Sequence, residues 1–339
     1  MVHESRLTRR HWSVGLESAP ACCRLTKAVY TFGHLVSSTS SQHPDGSRWA
    51  AFVELGKLRL SSLALLAVFA GLLLGSPNLP TLPPWSVIVG ALLGTAMVAI
   101  GGNAMNMWWE RDTDIFMQRT AARPIQSGRL SPRDVFCFGM LQASGGVVVL
   151  ACTTNLLATL LCAAIFLLYV LVYTPLKRHN TLNTLVGAIP GALPPVVGYA
   201  AGAGYIDGQA LVLFMILFFW QIPHFLAIAW RYKDQYRNAG LMMLPSVEGS
   251  GLVTGKHMMT YGLCLVGVSI LPALPAFGYY SRHYVYSAAV LGLVFLAVIF
   301  EAAVLRRPAG MRRCFLVSII YLPLLFVAMV SDRLTPHVA

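Results

Sequence analysis

Three oxygen-bearing side chains recur at helical spacing in the first half of this chain: Asn106, Glu110 and Asp114. Steps of four residues set them on one helix face, about 6 Å apart per step. Asn103 joins that face one turn earlier. The two carboxylates of this row repel each other unless a cation sits among them. Oxygen ligands of this kind suit Mg²⁺, which binds through one or two carboxylates and completes its shell with substrate phosphates. Arg119 and Arg123 follow, one turn apart, and guanidinium groups grip phosphate oxygens in bidentate fashion. Carboxylates for a metal, then arginines for phosphate, describe a site for a metal–diphosphate. The plainer alternative is a charged helix end, with arginines where membrane topology demands them.

A second constellation lies further on. Tyr173-Thr174-Pro175-Leu176-Lys177-Arg178 ends one apolar stretch, and Trp230-Arg231-Tyr232-Lys233-Asp234-Gln235-Tyr236 ends another. Lys177, Arg178, Arg231, Lys233 and Asp234 can converge on the acidic row, with Asp234 completing the metal shell from the other half of the molecule. His224, in Trp220-Gln221-Ile222-Pro223-His224-Phe225, lies about two turns deeper. It reads either as a satisfied interhelical hydrogen bond, or as a porphyrin iron ligand or proton acceptor.

The elements that must position these groups are transmembrane helices. Apolar types make up 56% of the 339 residues and charged types only 11%, against roughly 25% in soluble domains; mean hydropathy is +0.65. Stretches near spanning length fall at about 58–75, 85–106, 135–152, 156–173, 182–201, 209–230, 258–278, 284–304 and 314–331, close to the ~20 residues a crossing needs. They lack period-2 alternation, which argues for helices rather than a barrel. The expected fold is therefore all-α, a polytopic membrane bundle of about nine helices. If residue 57 lies inside, the inner loops hold seventeen Lys and Arg residues and the outer loops and tail only Arg282 and Arg333. The positive-inside rule then sets the amino terminus inside and both polar constellations on that same face. The basic excess follows this topology, so nucleic acid is not an expected partner.

Residues 1–48 differ. They are rich in Arg and Ser, poor in acids, and contain no long apolar core. That composition suits a mitochondrial transit peptide, or else a disordered tail, ahead of a membrane domain over 49–339. The transit reading predicts the mitochondrial inner membrane with the amino terminus in the matrix. The seven cysteines show no metal-ligand spacing.

These residues resemble the UbiA-type intramembrane prenyltransferases. Asn106-x-x-x-Glu110-x-x-x-Asp114 with Met117, Arg119-Thr120 and Arg123-Pro124 is similar to the first acidic motif of that family. Tyr173 to Arg178, Asn183-Thr184-x-Val186-Gly187-Ala188, Pro194-Pro195, Gly198, Trp220-Gln221-x-Pro223-His224-Phe225, and Asp234-x-Tyr236 with Gly240 are similar to its heme-modifying branch. One departure stands out: the family's second motif carries two adjacent acids before its Tyr, and here the second is Gln235.

The resemblance implies transfer of a farnesyl group from farnesyl diphosphate to the vinyl group of heme B, giving heme O, a step towards heme A. It implies Mg²⁺ on Asn106, Glu110, Asp114 and Asp234, which serve as the catalytic set. It implies substrate contacts from Arg119, Arg123, Tyr173, Lys177, Arg178, His224, Lys233 and Tyr236. Expected partners are the two substrates, the lipid bilayer, and a downstream heme A synthase or a second copy of the chain. Two rivals stay open. One is a family member acting on another acceptor, such as an aromatic quinone precursor. The other is a polytopic transporter for an anionic solute, since intramembrane charges also mark pathways.

Overall fold

The computed structural model describes residues 48–77, 81–273 and 280–335. The described residues all lie within one unit, 47–339. The transit-peptide reading falls, Arg48 apart, outside the described residues. Among the described residues regular structure is entirely helical. In chain order the helices are α1 (Arg48–Leu55), α2 (Leu58–Gly75), α3 (Trp85–Trp109), α4 (Arg111–Asp114), α5 (Pro132–Thr153) and α6 (Leu156–Leu167). A π-helical stretch, Leu168–Tyr173, runs on into α7 (Thr174–Leu176). Then come α8 (Asn183–Ala192), α9 (Pro194–Ala203), α10 (Gly208–Arg231), α11 (Lys233–Asn238), α12 (Leu244–Glu248), α13 (Leu252–Ile270), α14 (Arg282–Leu305) and α15 (Pro308–Leu334).

Every expected apolar stretch has a helical counterpart. Among the described residues seven helices, counting Leu156–Leu176 and Asn183–Ala203 as single rods, are long and apolar enough to cross a bilayer. The multi-pass reading therefore holds. Of the other two stretches, α2 is apolar over its described part, Ser61–Gly75, and α13 carries Lys256 and His257 in its second turn. The helix expected over 182–201 is two, because Leu193 is followed by Pro194-Pro195 and the ladder restarts there.

Local chemistry sets the boundaries. Ser131 and Asp134 form a reciprocal capping box at the start of α5, with Pro132 in the first turn. Asn155 accepts from the Ala158 N–H to open α6, and Asp207 accepts from Gln209 and Ala210 to open α10. Packing in lipid depends on close backbone approach, because no water is expelled between helices. A Cβ on Gly198 would lie 1.9 Å from the Val68 carbonyl oxygen, and one on Gly71 would lie 2.0 Å from that of Pro195. Helices α2 and α9 thus touch backbone to backbone. The largest core joins α10 to α13, α14 and α15; a second joins α2, α3, α6 and α9.

Candidate active site

The acidic row occupies a joint. Helix α3 stops at Trp109, Glu110 leaves the helical region at φ −86° and ψ 3°, and the short α4 carries the chain on to Asp114. Turn hydrogen bonds bridge the break: the Glu110 N–H donates to the Asn106 carbonyl and the Asp114 N–H to the Glu110 carbonyl, each at 2.9 Å. Helical spacing therefore survives, and Asn106, Glu110 and Asp114 are all buried.

The cations among the acids are the chain's own. Lys177 donates to Glu110 Oε1 at 2.7 Å. Arg123 donates to Asp114 Oδ2 and lies 3.9 Å from Glu110 Oε2. Lys177 reaches the row because the π-helical turn brings Thr174 against α3, where Asn106 Nδ2 donates to Thr174 Oγ1 at 3.3 Å. Such turns recur at functional sites. Tyr173 lies under Lys177, whose Nζ sits 4.4 Å from the ring centroid. The ring itself packs on Gly187, where a Cβ would come within 2.4 Å of it. Arg178 donates to the Trp109 carbonyl at 3.4 Å, a weak contact at the carboxyl end of α3.

Two loops meet around these groups. Met117 packs against Tyr236, Ala239 and Leu241, and Arg119 donates to the Tyr236 hydroxyl at 3.2 Å. The Met242 N–H donates to the Lys177 carbonyl at 2.7 Å, and Asn183 Nδ2 donates to the Met242 carbonyl at 2.7 Å. The second loop thereby fixes the backbone that presents Lys177.

Electrostatics follow from burial and pairing. Burial opposes the Glu110 carboxylate, yet Lys177 and Arg123 outweigh it and hold its pKa below the ordinary Glu value. At Asp114 burial prevails and raises the pKa; Arg123 opposes it and Glu110 adds to it. Burial opposes the Lys177 ammonium as well, but Glu110 wins and its pKa is raised. Burial pushes Lys57 down to about 7, with Arg123 adding repulsion.

Some expected residues stand apart. Asp234 is 74% exposed and pairs with Arg237 at 3.5 Å. Lys233 lies over the Trp230 ring at 4.3 Å. Neither has a contact with the acidic row among the described interactions. His224 is buried between Trp220 and Phe315, and its Nδ1 meets Ser318 Oγ at 2.6 Å. It makes the interhelical bond to α15 that the sequence left as one alternative.

The sequence reading left other residues out of the site. Lys57 shares the electrostatic field of Glu110, Arg119, Arg123 and Lys177; as a flanking cation it looked like topology alone. Its backbone is left-handed, φ 44°. The Gly56 carbonyl before it accepts from Asn103 Nδ2 at 3.2 Å, which ties this turn to the acidic helix. Thr174, Tyr169 and Tyr232 owe their places to the π turn and the loop contacts, and spacing gives no signal for them.

One observation tests whether a divalent cation fits. Asp114 is fully buried, and its Oδ1 has no hydrogen-bond partner. Such an oxygen is costly unless a ligand satisfies it. With Asn106 and Glu110 beside it, the donor set consists of hard oxygens, as Mg²⁺ requires.

Known proteins share this sequence and fold. A protoheme IX farnesyltransferase of Solibacter usitatus (strain Ellin6076) is 39% identical over 291 residues, covering 83% of this chain and 98% of that protein. One from Sorangium cellulosum (strain So ce56) is 43% identical over 242 residues, covering 70% and 85%. Among solved structures, that of a digeranylgeranylglyceryl phosphate synthase superposes with a TM-score of 0.70 at 14% identity, over 85% of this chain and 99% of that one. A UbiA homolog from Archaeoglobus fulgidus bound to GPP and Mg²⁺ gives 0.57 at 15% identity, over 82% and 99%. At those identities the structures speak for the fold alone. The family match covers residues 64–327, from α2 into α15 and through both polar loops, and so the chain belongs to the UbiA prenyltransferase family.

Proposed function

We propose that this protein transfers the farnesyl group of farnesyl diphosphate to a vinyl group of heme B, giving heme O and releasing diphosphate, with water supplying the new hydroxyl. The observation that carries the reading is the cluster of buried Glu110 and Asp114 with partly buried Arg123 and Lys177 within a chain 35–43% identical to proteins named protoheme IX farnesyltransferase.

Asn106, Glu110 and Asp114 would hold Mg²⁺, which supplies Lewis-acid stabilisation of charge on diphosphate oxygens. A neighbour with this fold is bound to GPP and Mg²⁺, which supports that assignment. The chain's own cations do the rest of the electrostatic work. Lys177, Arg123 and Arg119 face the leaving oxygens from two segments and take up their charge as the allylic C–O bond breaks. They are held by Glu110, Asp114 and Tyr236 before substrate arrives, so little reorganisation is needed. Arg178 and Lys233 lie on the same loops and serve the same anion at longer range. Tyr169 and Tyr173 line the apolar side with ring faces that stabilise a carbocation and exclude water until the vinyl group attacks. His224, whose Nδ1 is engaged by Ser318, would meet the porphyrin only through the rest of its ring.

The distribution of Lys and Arg supports an inner location for this face. The composition of residues 1–48 supports the mitochondrial inner membrane, with the amino terminus in the matrix. The acceptor distinguishes this reading from its rivals. Membranes containing the protein, given farnesyl diphosphate and Mg²⁺, should prenylate heme B and leave aromatic quinone precursors unmodified. The reverse preference would keep the family and discard heme.

A further inference from the structure

The two polar loops bring unequal metal-binding capacity. The amino-terminal row offers two buried carboxylates. One of their oxygens, Asp114 Oδ1, has no partner, and another, Glu110 Oε2, has only Arg123 at 3.9 Å. The second loop offers Asp234 alone. Its carboxylate is 74% exposed and held by Arg237 at 3.5 Å, so a cation there must displace both water and a guanidinium. The next side chain, Gln235, is neutral. Its amide oxygen is shielded and unpartnered, but it adds no charge to attract a divalent ion. Among the described residues no three His, Cys, Asp or Glu side chains gather at either loop, so an ion at the first rests on Asn106 beside its two carboxylates, and the second loop has no such row. A second ion would therefore depend on one exposed carboxylate.

Fixed charge points the same way. Glu110 and Asp114 are offset by Lys177 and Arg123, and Lys57 and Arg119 lie in the same field. Arg119 also donates to the hydroxyl of Tyr236, two residues from Asp234, so a cation at the second loop would meet that guanidinium charge.

We infer that this chain binds a single divalent cation together with its prenyl diphosphate, on Asp114 with Glu110 and Asn106, and that Asp234 is not a ligand to it. The inference rests on the prenyltransferase reading. It replaces the four-residue metal set expected from the sequence by three residues on one helix joint.

Mn²⁺ counting tests it without relying on turnover. Purified full-length protein in detergent, saturated with the slowly reacting sulfur analogue of farnesyl diphosphate, is titrated with Mn²⁺ while electron paramagnetic resonance follows the free ion. The wild type should retain one tightly bound Mn²⁺ per chain. Asp114→Asn should weaken that binding at least ten-fold, and Asp234→Asn should leave it within two-fold. Gln235→Asp, which pairs a second acid with Asp234, should raise the count to two. This gain does not depend on the folding of the Asp114 variant. Two ions per wild-type chain, or loss of the single ion in Asp234→Asn, would overturn the inference and leave the prenyltransferase reading standing. A wild type that binds neither the analogue nor Mn²⁺, with an unchanged thermal melt, would overturn both.

Discussion

At Glu110 a helix end, a partly buried lysine and a partly buried arginine meet. The bond of Glu110 to Lys177 joins α3 to the π-helical turn 67 residues away, so this pair is both a structural joint and part of the diphosphate site. Removing one partner of a buried pair strands the other charge and costs about 3–5 kcal/mol, whereas removing both is far milder. Lys177→Met should therefore lower thermal stability, and Glu110→Gln combined with Lys177→Met should restore most of it. Turnover should fall roughly 10²–10³-fold in the single lysine variant, the scale of losing one preorganised charge stabiliser, and the double variant should not recover it. Melts and heme product yields on the three proteins check this; recovery of both together would assign the pair to stability alone. At this scale the sequence was informative for Asn106, Glu110, Asp114, Arg119, Arg123 and Lys177, because helical spacing and loop charge are local properties. It was silent on Lys57, whose left-handed turn and tie to Asn103 are set by the packing of α2 against α3.

Elements explain why the second motif is held in place while its acid faces outward. The loop from α11 to α13 is pinned at both ends: Met242 bonds to Lys177 and Asn183 near its start, and Glu248 secures its end. The Glu248 carboxylate accepts from Ser250 Oγ, the Val253 and Thr254 N–H groups and Thr254 Oγ1. It thereby caps the start of α13, where Gly251 adopts φ 79°. Partial burial opposes this carboxylate, but hydrogen bonds from Ser250, Thr254 and Val253 prevail and lower its pKa from 4.5 to about 2. A depressed carboxyl pKa stabilises the fold above its unfolded value and loses that contribution as pH falls through the folded one. Wild type should therefore melt above Glu248→Gln at pH 7, with the gap closing between about pH 5 and pH 2. A gap independent of pH across that window would contradict the capping role. This cap is not legible in the sequence, since Glu248 lies five residues from Val253 rather than at the usual spacing. The π-helical turn was likewise invisible, because Leu168–Tyr173 has the composition of any apolar helix. The break within 182–201 was signalled by Pro194-Pro195 but read through as one span.

For the whole molecule, the positive-inside count and the helix ladder agree on one polar face. The acids at the opposite ends of the helices are engaged in holding the chain: Asp207 caps α10 and accepts from the Tyr199 hydroxyl at 2.8 Å, and Asp332 accepts from the Ser281 N–H at 2.8 Å. Glu301 pairs with Arg313 across the α14–α15 turn. A transport path would need polar groups available through the membrane depth, and this distribution favours a one-sided reaction site instead. Fold class and site face were thus legible from hydropathy and charge, while the pairing of Glu110 with Lys177 and the separation of Asp234 required the tertiary structure. The most direct measurement compares membranes containing wild type or Glu110→Ala, each incubated with heme B, farnesyl diphosphate and Mg²⁺, by chromatography and mass of the extracted hemes. Wild type should yield a later-eluting heme heavier by farnesyl plus water, lost on chelation of Mg²⁺, and folded Glu110→Ala should yield none. Equal yields from the two proteins, or unmodified heme from wild type that prenylates another acceptor, would contradict the account.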